Sequence, residues 1–282
     1  MTNFTEIFEL AGIRVQLTCQ PEALAAAVQT RYQPFMAAAD PEQPADFSAR
    51  AILTGQQASV TELDLRIHAV GPEYHLDLSG ATGVISLAKR CAELTVNNTT
   101  PLASIEYFLR ALFAVLVFEC DGVMLHCAGV RADSGVHLFV GHSGSGKSTA
   151  SALSSNHATT LNDDLVILLP EANHWIAYGT PFWNFATLHR AGQTLHGPVV
   201  GVYKLVKDSE VYLEPMSPAA AVAELFTNSP VVNADAARAS GLLARCQKLA
   251  LAIPVQKLHF RKDDSFWAWL EPVGGSNEPQ GG

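Results

Sequence analysis

Residues 136–150 read VHLFVGHSGSGKSTA, and this segment predicts a strand, a glycine-rich turn and a helix in succession. Residues 141–148, GHSGSGKS, fit the pattern G-x-x-x-x-G-K-[ST] of loops that wrap phosphate groups. The residues before the turn are apolar except for His137, which is typical of a buried strand, and the residues after it continue as a plausible helix. A phosphate-binding loop requires this order. The alternative is a glycine-rich turn that matches the pattern by chance.

The residue types in this turn, called the glycine loop below, suit the phosphates of a nucleotide. Gly141, Gly144 and Gly146 allow the positive φ angles and the close backbone approach that a phosphate cradle needs. Lys147 can place a positive charge on the β- and γ-phosphates, and the Ser148 hydroxyl can bind Mg²⁺. We therefore expect ATP and Mg²⁺ as cofactors. The predicted nucleotide-binding residues are Gly141, His142, Ser143, Gly144, Ser145, Gly146, Lys147, Ser148 and Thr149.

Composition and charge narrow the class of protein. The chain has 282 residues, of which 48% are hydrophobic, and its net charge is −9. The acidic balance argues against nucleic acid or an anionic membrane as a partner. The five cysteines are scattered without a C-x-x-C pair, which favours free thiols in a reducing compartment. The first ten residues, MTNFTEIFEL, carry acids where a signal peptide would be basic, so we expect no signal peptide and a cytoplasmic location.

One long apolar segment, residues 101–120, could be mistaken for a membrane span. It reads PLASIEYFLRALFAVLVFEC and contains Glu106, Arg110 and Glu119. Glu106 and Arg110 are spaced i,i+4, so they can pair on one face of a helix. These charges favour a buried amphipathic helix over a membrane-spanning one.

The two parts of the chain differ in pattern. The first hundred residues carry no recognisable chemical motif, and one segment, 21–36, is helix-like. The strand-like segments of this part are 4–10, 13–17, 49–54, 63–70, 74–78 and 83–86. We predict an α/β fold in which a mixed β-sheet surrounds the glycine loop, with a β-rich α+β N-terminal part. The predicted regions are 1–100 for the N-terminal part, 101–272 for the loop-containing domain and 273–282 for a disordered tail.

Four segments of the second part carry specific expectations. Residues 123–130 are predicted to form one strand that makes a hairpin with the strand before the glycine loop. Residues 159–169 are strand-like on both sides of an Asp-Asp pair. Residues 175–185 are aromatic and irregular, and residues 266–270 are expected to form a closing strand.

Asp163 and Asp164 follow the predicted loop and helix. A nucleotide site needs carboxylates there: one can hold Mg²⁺, and the other can take a proton from an acceptor hydroxyl. Adjacent residues of a strand point to opposite faces, so both reach one site only if the strand ends there. Asn162 indicates such an irregular end, whereas the alternative is a pair of solvated turn carboxylates.

His126 is expected on the hairpin strand that precedes the glycine loop, where it could approach the same phosphates. A histidine between Leu125 and Cys127 is, on its own, more often a satisfied core residue. Both interpretations remain open from the residues alone.

The combination of Leu125-His126, the loop with Thr149, and Asp163-Asp164 resembles the catalytic domain of HPr kinase/phosphorylase and its relatives. The loop and the Asp pair are also similar to ATP-dependent phosphoenolpyruvate carboxykinase. The resemblance implies an α/β core of that type. It further implies that His126, Lys147 and Asp163 form the active site, that Asp164 lies beside the metal, and that Ser148 binds Mg²⁺.

The chain departs from that family in two places. The family has a metal-binding glutamate in a Glu-x-Arg-Gly-Leu-Gly-like segment after the Asp-Asp strand. The nearest stretch by spacing is 188–192, LHRAG, which keeps an arginine and a glycine but has no glutamate. Residues 1–100 also differ from the usual N-terminal domain, so the chain is more similar to HprK-related kinases outside sugar regulation.

These observations predict an ATP-dependent kinase that transfers the γ-phosphoryl group to a hydroxyl, with serine as the first choice. The catalytic residues would be Asp163, Asp164, His126 and Lys147, and the metal ligands Ser148 and Asp164. The acceptor would belong to a protein, a peptide or a small molecule, and the protein is compatible with a homo-oligomer. One alternative is a regulatory module that binds ATP without transfer. Another is a small-molecule carboxykinase-like enzyme, against which stands the lack of a separate basic cluster for a dicarboxylate.

Overall fold

The computed structural model describes residues 4–59, 65–172, 174–182 and 194–271, and these residues form two mixed β-sheets with a long apolar helix between them in the chain. All strands of the first sheet precede residue 99, and all strands of the second follow residue 122. A mixed α/β architecture is therefore confirmed. The division into domains at residue 100, and the assignment of the core to the HPr kinase type, remain predictions.

Eight strands form the first sheet in the order β3-β1-β2-β4-β8-β7-β6-β5. The central strands β2, β4 and β8 are parallel to one another, and the remaining pairs are antiparallel. The strands are β1 (Phe4–Leu10), β2 (Ile13–Gln20), β3 (Met36–Ala37), β4 (Phe47–Ala58), β5 (Leu65–Val70), β6 (Glu73–Leu78), β7 (Ala81–Ser86) and β8 (Cys91–Asn98). Helix α1 (Glu22–Tyr32) follows β2 and confirms the helix expected after Pro21, although it ends at Tyr32 and not at Met36. Strand β8 lies outside the predicted strands, although its buried and exposed residues alternate.

Helix α2 (Pro101–Glu119) connects the sheets and lies in the core. It is long and apolar enough to cross a membrane by length and composition, but 72% of the most apolar window is buried inside the protein. It packs against β8 of the first sheet, and its core cluster includes Met124, Leu165 and Ile167 of the second sheet. The predicted buried helix is thus confirmed.

The second sheet has nine strands, in the order β12-β10-β11-β15-β14-β13-β9, with β17 beside β15 and β16 beside β17. The strands are β9 (Val123–His126), β10 (Ala128–Ala132), β11 (Gly135–Val140), β12 (Thr159–Asn162), β13 (Leu165–Glu171), β14 (His174–Gly179), β15 (His196–Lys207), β16 (Tyr212–Pro215) and β17 (Val255–Phe260). The helices are α3 (Lys147–Leu153), α4 (Pro218–Thr227), α5 (Ala239–Ala252) and α6 (Trp267–Leu270). Strand β15 is parallel to β11 and β17, which makes this sheet mixed as well.

The single strand expected over residues 123–130 is wrong, because the chain leaves one strand and enters another at Cys127. Strand β10 pairs with β11 as a hairpin, but β9 pairs with β13 on the far edge of the sheet. At the break, the Cys127 amide donates to the Asp164 carbonyl at 3.0 Å, and the His126 amide donates to the Asn228 carbonyl at 2.7 Å. His126 therefore lies opposite Leu165 on β13, and not on the partner strand of β11.

Two further expectations are also wrong. Residues 175–179 of the supposedly irregular segment 175–185 belong to β14, because Trp175 and Ala177 alternate into the core. The expected strand at 266–270 is instead α6, preceded by a 3₁₀ turn that the Asp263 side chain caps by accepting from the Ser265 amide at 3.1 Å. The expected tail at 273–282 lies outside the described residues.

Candidate functional site

The glycine loop leaves the buried strand β11 and ends at the first residue of α3, in the predicted order. Its backbone needs glycine at two positions. At Gly141 φ is 143°, and a Cβ would lie 2.8 Å from Ser145 Oγ. At Gly146 φ is 112°, and a Cβ would lie 2.8 Å from Cζ of Phe260 on β17. Any other residue would strain both positions, and it would clash with the loop itself at Gly141 and with the sheet at Gly146.

Lys147 is the first residue of α3 and is only 8% exposed. Its Nζ donates to the carbonyl oxygens of Gly141 at 2.7 Å and His142 at 3.3 Å, so the ammonium group closes the loop on itself. Burial lowers the pKa of Lys147, and the nearby Asp164 carboxylate opposes that shift. The lysine is therefore held at the mouth of the loop within electrostatic reach of Asp164.

The other loop residues divide into a buried base and an exposed rim. Ser145 is buried, and its Oγ has no hydrogen-bond partner within the described part of the chain. His142, Ser143 and Gly144 are exposed, as is Ser148 on the first turn of α3. Thr149 and Gly146 are partly buried. A group that approached the rim would thus meet backbone, hydroxyls and the exposed imidazole of His142.

The Asp pair lies in the break between β12 and β13, and Asn162 shapes that break. Its Oδ1 accepts from the amides of Asp164 at 2.6 Å and Leu165 at 2.8 Å, which forms an Asx turn. Its Nδ2 donates to the carbonyls of Thr180 at 2.9 Å and Phe182 at 3.0 Å. The irregular strand end expected from Asn162 is confirmed, and the turn is fixed from both sides of a buried amide.

Asp164 is 8% exposed, and its carboxylate lies beside an arginine and a histidine. Its Oδ2 accepts from Arg110 Nη1 on α2 at 2.8 Å, and its Oδ1 lies 3.6 Å from His126 Nε2. The neighbouring Asp163 is partly buried in the same turn. The structure thus brings His126 and Asp164 together, although through β9 and not through the predicted hairpin.

Arg110 continues into a second buried acid. Its Nη2 donates to Oε1 of Glu106 at 2.8 Å, and Glu106 is fully buried. Oε2 of Glu106 accepts from Arg31 Nη2 at 3.2 Å and from the Tyr32 hydroxyl at 3.4 Å, both on α1. Sequence reasoning used Glu106 and Arg110 only to classify α2. The signal for a wider role was present, because charges in a helix this apolar need partners outside it.

His126 is half exposed, with 47% of its side-chain surface open to solvent. Burial of the rest lowers the pKa of its imidazole, Asp164 opposes that shift, and the positive charges of Lys147 and Arg110 reinforce it. The same four groups therefore interact electrostatically around one small region. His126 is the member of this group most open to a molecule arriving from solvent.

A second ion pair flanks the glycine loop and was missed by sequence reasoning. Lys204 on β15 lies opposite Val140 of β11, and its Nζ is 2.5 Å from Oε2 of Glu224 on α4. Glu224 also accepts from Asn228 Nδ2 at 3.1 Å, and it opposes the downward pKa shift of Lys147. Sequence reasoning missed this pair because its two residues lie far apart in the chain, and no local pattern links β15 with α4.

The structure does not test two expectations, one about segment 188–192 and one about the metal ligands. Segment 188–192, the one that lacks the family glutamate, lies outside the described residues. Within the described ranges, no group of three or more His, Cys, Asp or Glu side chains is arranged to hold a metal ion. Ser148 and Asp164 as Mg²⁺ ligands stay predictions.

The sequence matches no protein-family model and no curated protein. Among solved structures, the chain is similar to the Hpr(Ser) kinase/phosphatase from Coxiella burnetii at 16% sequence identity. The match covers 49% of this chain and 85% of that chain, with a TM-score of 0.27. A likeness at this level carries no argument about the function of this chain.

Proposed function

We propose that this protein is an ATP-dependent kinase that transfers the γ-phosphoryl group of ATP to a hydroxyl group. The observation that carries the proposal is the placement of Lys147 at the end of the glycine loop, within electrostatic reach of both Asp164 and His126. Phosphoryl transfer needs these parts together: a cradle, a cation on the phosphates and a carboxylate near the nucleophile. The described structure of the loop supports the first two, and the Asp turn supports the third.

The loop would hold the phosphates through its amides and Lys147. The ammonium group now satisfies two backbone carbonyls of its own loop, and phosphate oxygens would replace these neutral acceptors with charged ones. The buried and unpartnered Ser145 hydroxyl at the base of the loop could donate to the same phosphates. Binding would thus add charge-assisted hydrogen bonds to a loop whose backbone is already shaped.

The oxygen donors near the loop fit Mg²⁺, which is usually held by one or two carboxylates and by substrate phosphates. Ser148 offers an exposed hydroxyl, and Asp164 offers a carboxylate that Arg110 orients. Bound Mg²⁺ supplies neutralisation of the phosphate charge. Ser148 and Asp164 are therefore our proposed ligands.

Asp163 is our proposed general base. The acceptor oxygen would attack the γ-phosphorus, the bond to the β–γ bridging oxygen would break, and ADP would leave with that electron pair. Asp163 would take the proton from the acceptor hydroxyl, and His126, half open to solvent, would contact the transferred group. The acceptor would be a serine or another hydroxyl of a protein, a peptide or a small molecule.

One observation favours a second function, an ATP-binding regulatory module without transfer. The Asp164 carboxylate already pairs with the Arg110 guanidinium at 2.8 Å, so a metal would have to compete with that cation. In such a module ATP would bind to the glycine loop, and no acceptor would be labelled.

The first test is ATP binding by calorimetry, with and without Mg²⁺, followed by single-turnover transfer from labelled ATP to a panel of hydroxyl-bearing peptides, proteins and small molecules. Lys147→Ala is expected to weaken binding and abolish transfer, whereas the exposed Lys248→Ala on α5 should match the wild type. Unchanged ATP affinity and activity in Lys147→Ala would reject the loop assignment. Tight ATP binding by the wild type with no labelled acceptor would instead support the regulatory module.

We include a cytoplasmic location in the proposal. All five cysteines are free thiols, which suits a reducing compartment that also supplies ATP.

A further inference from the structure

We propose that Arg31, Glu106 and Arg110 form a positioning chain that holds the Asp turn, so that α1 from the N-terminal half belongs to the working site. This inference rests on the proposed kinase function. It concerns residues that do not touch nucleotide or acceptor, and it gives the first hundred residues a role in catalysis.

The central member of the positioning chain is a buried acid that two arginines share. The Glu106 carboxylate is fully buried, and each of its oxygens accepts from a different arginine: Oε1 from Arg110 at 2.8 Å and Oε2 from Arg31 at 3.2 Å. A buried carboxylate is costly unless it is paired in this way. Loss of either arginine would therefore pull the other toward Glu106.

Arg110 links Glu106 to the site. One terminal nitrogen of its guanidinium donates to Glu106 and the other donates to Asp164, both at 2.8 Å. The planar fork fixes the two carboxylates at a set distance and angle, which the point charge of a lysine cannot do. If Arg110 shifted toward Glu106, its Nη1 would move away from Asp164.

Arg31 reaches the same turn by a second route. Besides Glu106, its Nη2 donates to the carbonyl of Pro181 at 2.9 Å. Pro181 lies between Thr180 and Phe182, the two residues whose carbonyls bind the Asn162 amide group. Asn162 in turn accepts from the Asp164 amide at 2.6 Å. The side chain and the backbone of Asp164 are thus both held by contacts that lead back to Arg31.

The expected consequence is a loss of transfer without a loss of ATP binding. Displacement of a reacting group by about 1 Å can cost roughly 10²-fold in rate, so we expect Arg31→Gln to lower single-turnover transfer by about 10–100-fold. The ATP dissociation constant should remain within about twofold of the wild type, since the glycine loop is untouched. Arg31→Lys should recover much of the rate, because both of these contacts of Arg31 come from Nη2 and one ammonium group can donate to both acceptors while keeping the charge beside Glu106.

The experiment compares wild type, Arg31→Gln, Arg31→Lys, Glu106→Gln and the double variant Arg31→Gln/Glu106→Gln. Arg245→Gln is the matched control, because Arg245 is also mostly buried and pairs with Asp121 at 3.0 Å, away from the Asp turn. Circular dichroism and thermal unfolding confirm that each variant is folded at the assay temperature. The two single changes should be non-additive, with the double variant faster than the product of their losses predicts.

A second readout separates this inference from the kinase proposal. The imidazole NMR signals of His126, assigned with His126→Gln, should shift in Arg31→Gln and not in Arg245→Gln, whether or not an acceptor is known. Shifted His126 signals in a protein that never transfers phosphate would support the positioning chain and reject the kinase proposal. Wild-type transfer in folded Arg31→Gln, with unmoved His126 signals, would overturn the positioning chain.

Discussion

Two buried ion networks in the described part of this protein each contain an aspartate and an arginine, and the aspartate of the first network, Asp164, interacts electrostatically with Lys147 of the glycine loop. In the second network, Asp235 is 3% exposed and accepts from the Tyr74 hydroxyl at 2.6 Å and from Arg238 Nη1 at 2.9 Å. Tyr74 belongs to the first sheet, whereas Asp235 precedes α5. Both networks therefore tie the N-terminal half to the rest of the molecule.

They differ in how completely the aspartate is satisfied. Asp235 also accepts from the Ala237 amide at 2.9 Å, so both of its oxygens have close donors. Asp164 has a close donor in Arg110, but its other oxygen is 3.6 Å from a half-exposed imidazole, which is beyond hydrogen-bond distance. A closed network stabilises a fold, whereas an open end next to solvent leaves room for chemistry.

The largest effect should come from Asp163→Asn, beside the open network. If Asp163 takes the acceptor proton, transfer should fall by roughly 10²–10⁴-fold, while ATP affinity stays unchanged. Single-turnover transfer from labelled ATP and calorimetry measure the two quantities. Asp235→Asn is the control from the closed network, with unchanged transfer per folded molecule. A wild-type rate in Asp163→Asn would show that the base is misassigned.

The next largest effect concerns stability. Glu106→Gln removes the fully buried negative charge that Arg31 and Arg110 share, and we expect a loss of about 3–5 kcal/mol in the free energy of unfolding. Urea unfolding followed by circular dichroism measures it. The exposed Glu42→Gln should change stability by less than about 0.5 kcal/mol. A similarly small change in Glu106→Gln would mean that the arginines repel each other less than their burial implies.

A smaller effect should separate the two aspartates of the turn. Asp164→Asn is expected to raise the Mg²⁺ concentration for half-maximal transfer by about 10–100-fold, because an oriented ligand oxygen is lost. Titration of Mg²⁺ in the transfer assay and in ATP calorimetry gives two independent measurements. Asp163→Asn, assayed at its reduced rate, should keep the wild-type Mg²⁺ dependence. The reverse pattern would exchange the roles proposed for the two residues.

The sequence predicted best those features that depend on neighbours in the chain. The glycine loop, the helix after it and the break at Asn162 are each determined by a few adjacent residues. The partner of β9 could not be predicted, because strand pairing is decided by contacts far apart in the chain. The contact between Arg110 and Asp164 was missed for the same reason, because the two residues lie 54 positions apart.

The first sheet makes the same point on a larger scale. Its alternating strands were mostly predicted, but no local pattern indicates that β2, β4 and β8 lie parallel and adjacent. Strand β14 was hidden by its aromatic residues, since Trp175 and Tyr178 fit an irregular segment as well as a half-buried strand. The sequence did not predict how the strands and helices are arranged in space, and this arrangement brings the charged residues of the two networks together.

The smallest effect tests the closed network through pH. Tyr74→Phe removes the hydroxyl that donates to Asp235, while Arg238 and the Ala237 amide remain, so we expect a loss of about 1.5 kcal/mol in unfolding free energy at pH 7. Burial pushes the pKa of Asp235 upward, but the hydrogen bonds from Tyr74 and Arg238 outweigh it and hold the pKa below its usual value.

A carboxylate with a lowered pKa in the folded state stabilises the protein above its unfolded pKa of about 3.9, and this contribution is lost as the pH falls through the folded value. The difference between wild type and Tyr74→Phe should therefore be full at pH 7 and should shrink below about pH 4, as measured by urea unfolding at both ends. Tyr178→Phe is the control, because its hydroxyl donates to the exposed Glu171 at 3.2 Å and should contribute little. A gap that stays constant down to pH 3 would mean that Tyr74 stabilises the fold by packing and not through the charge of Asp235.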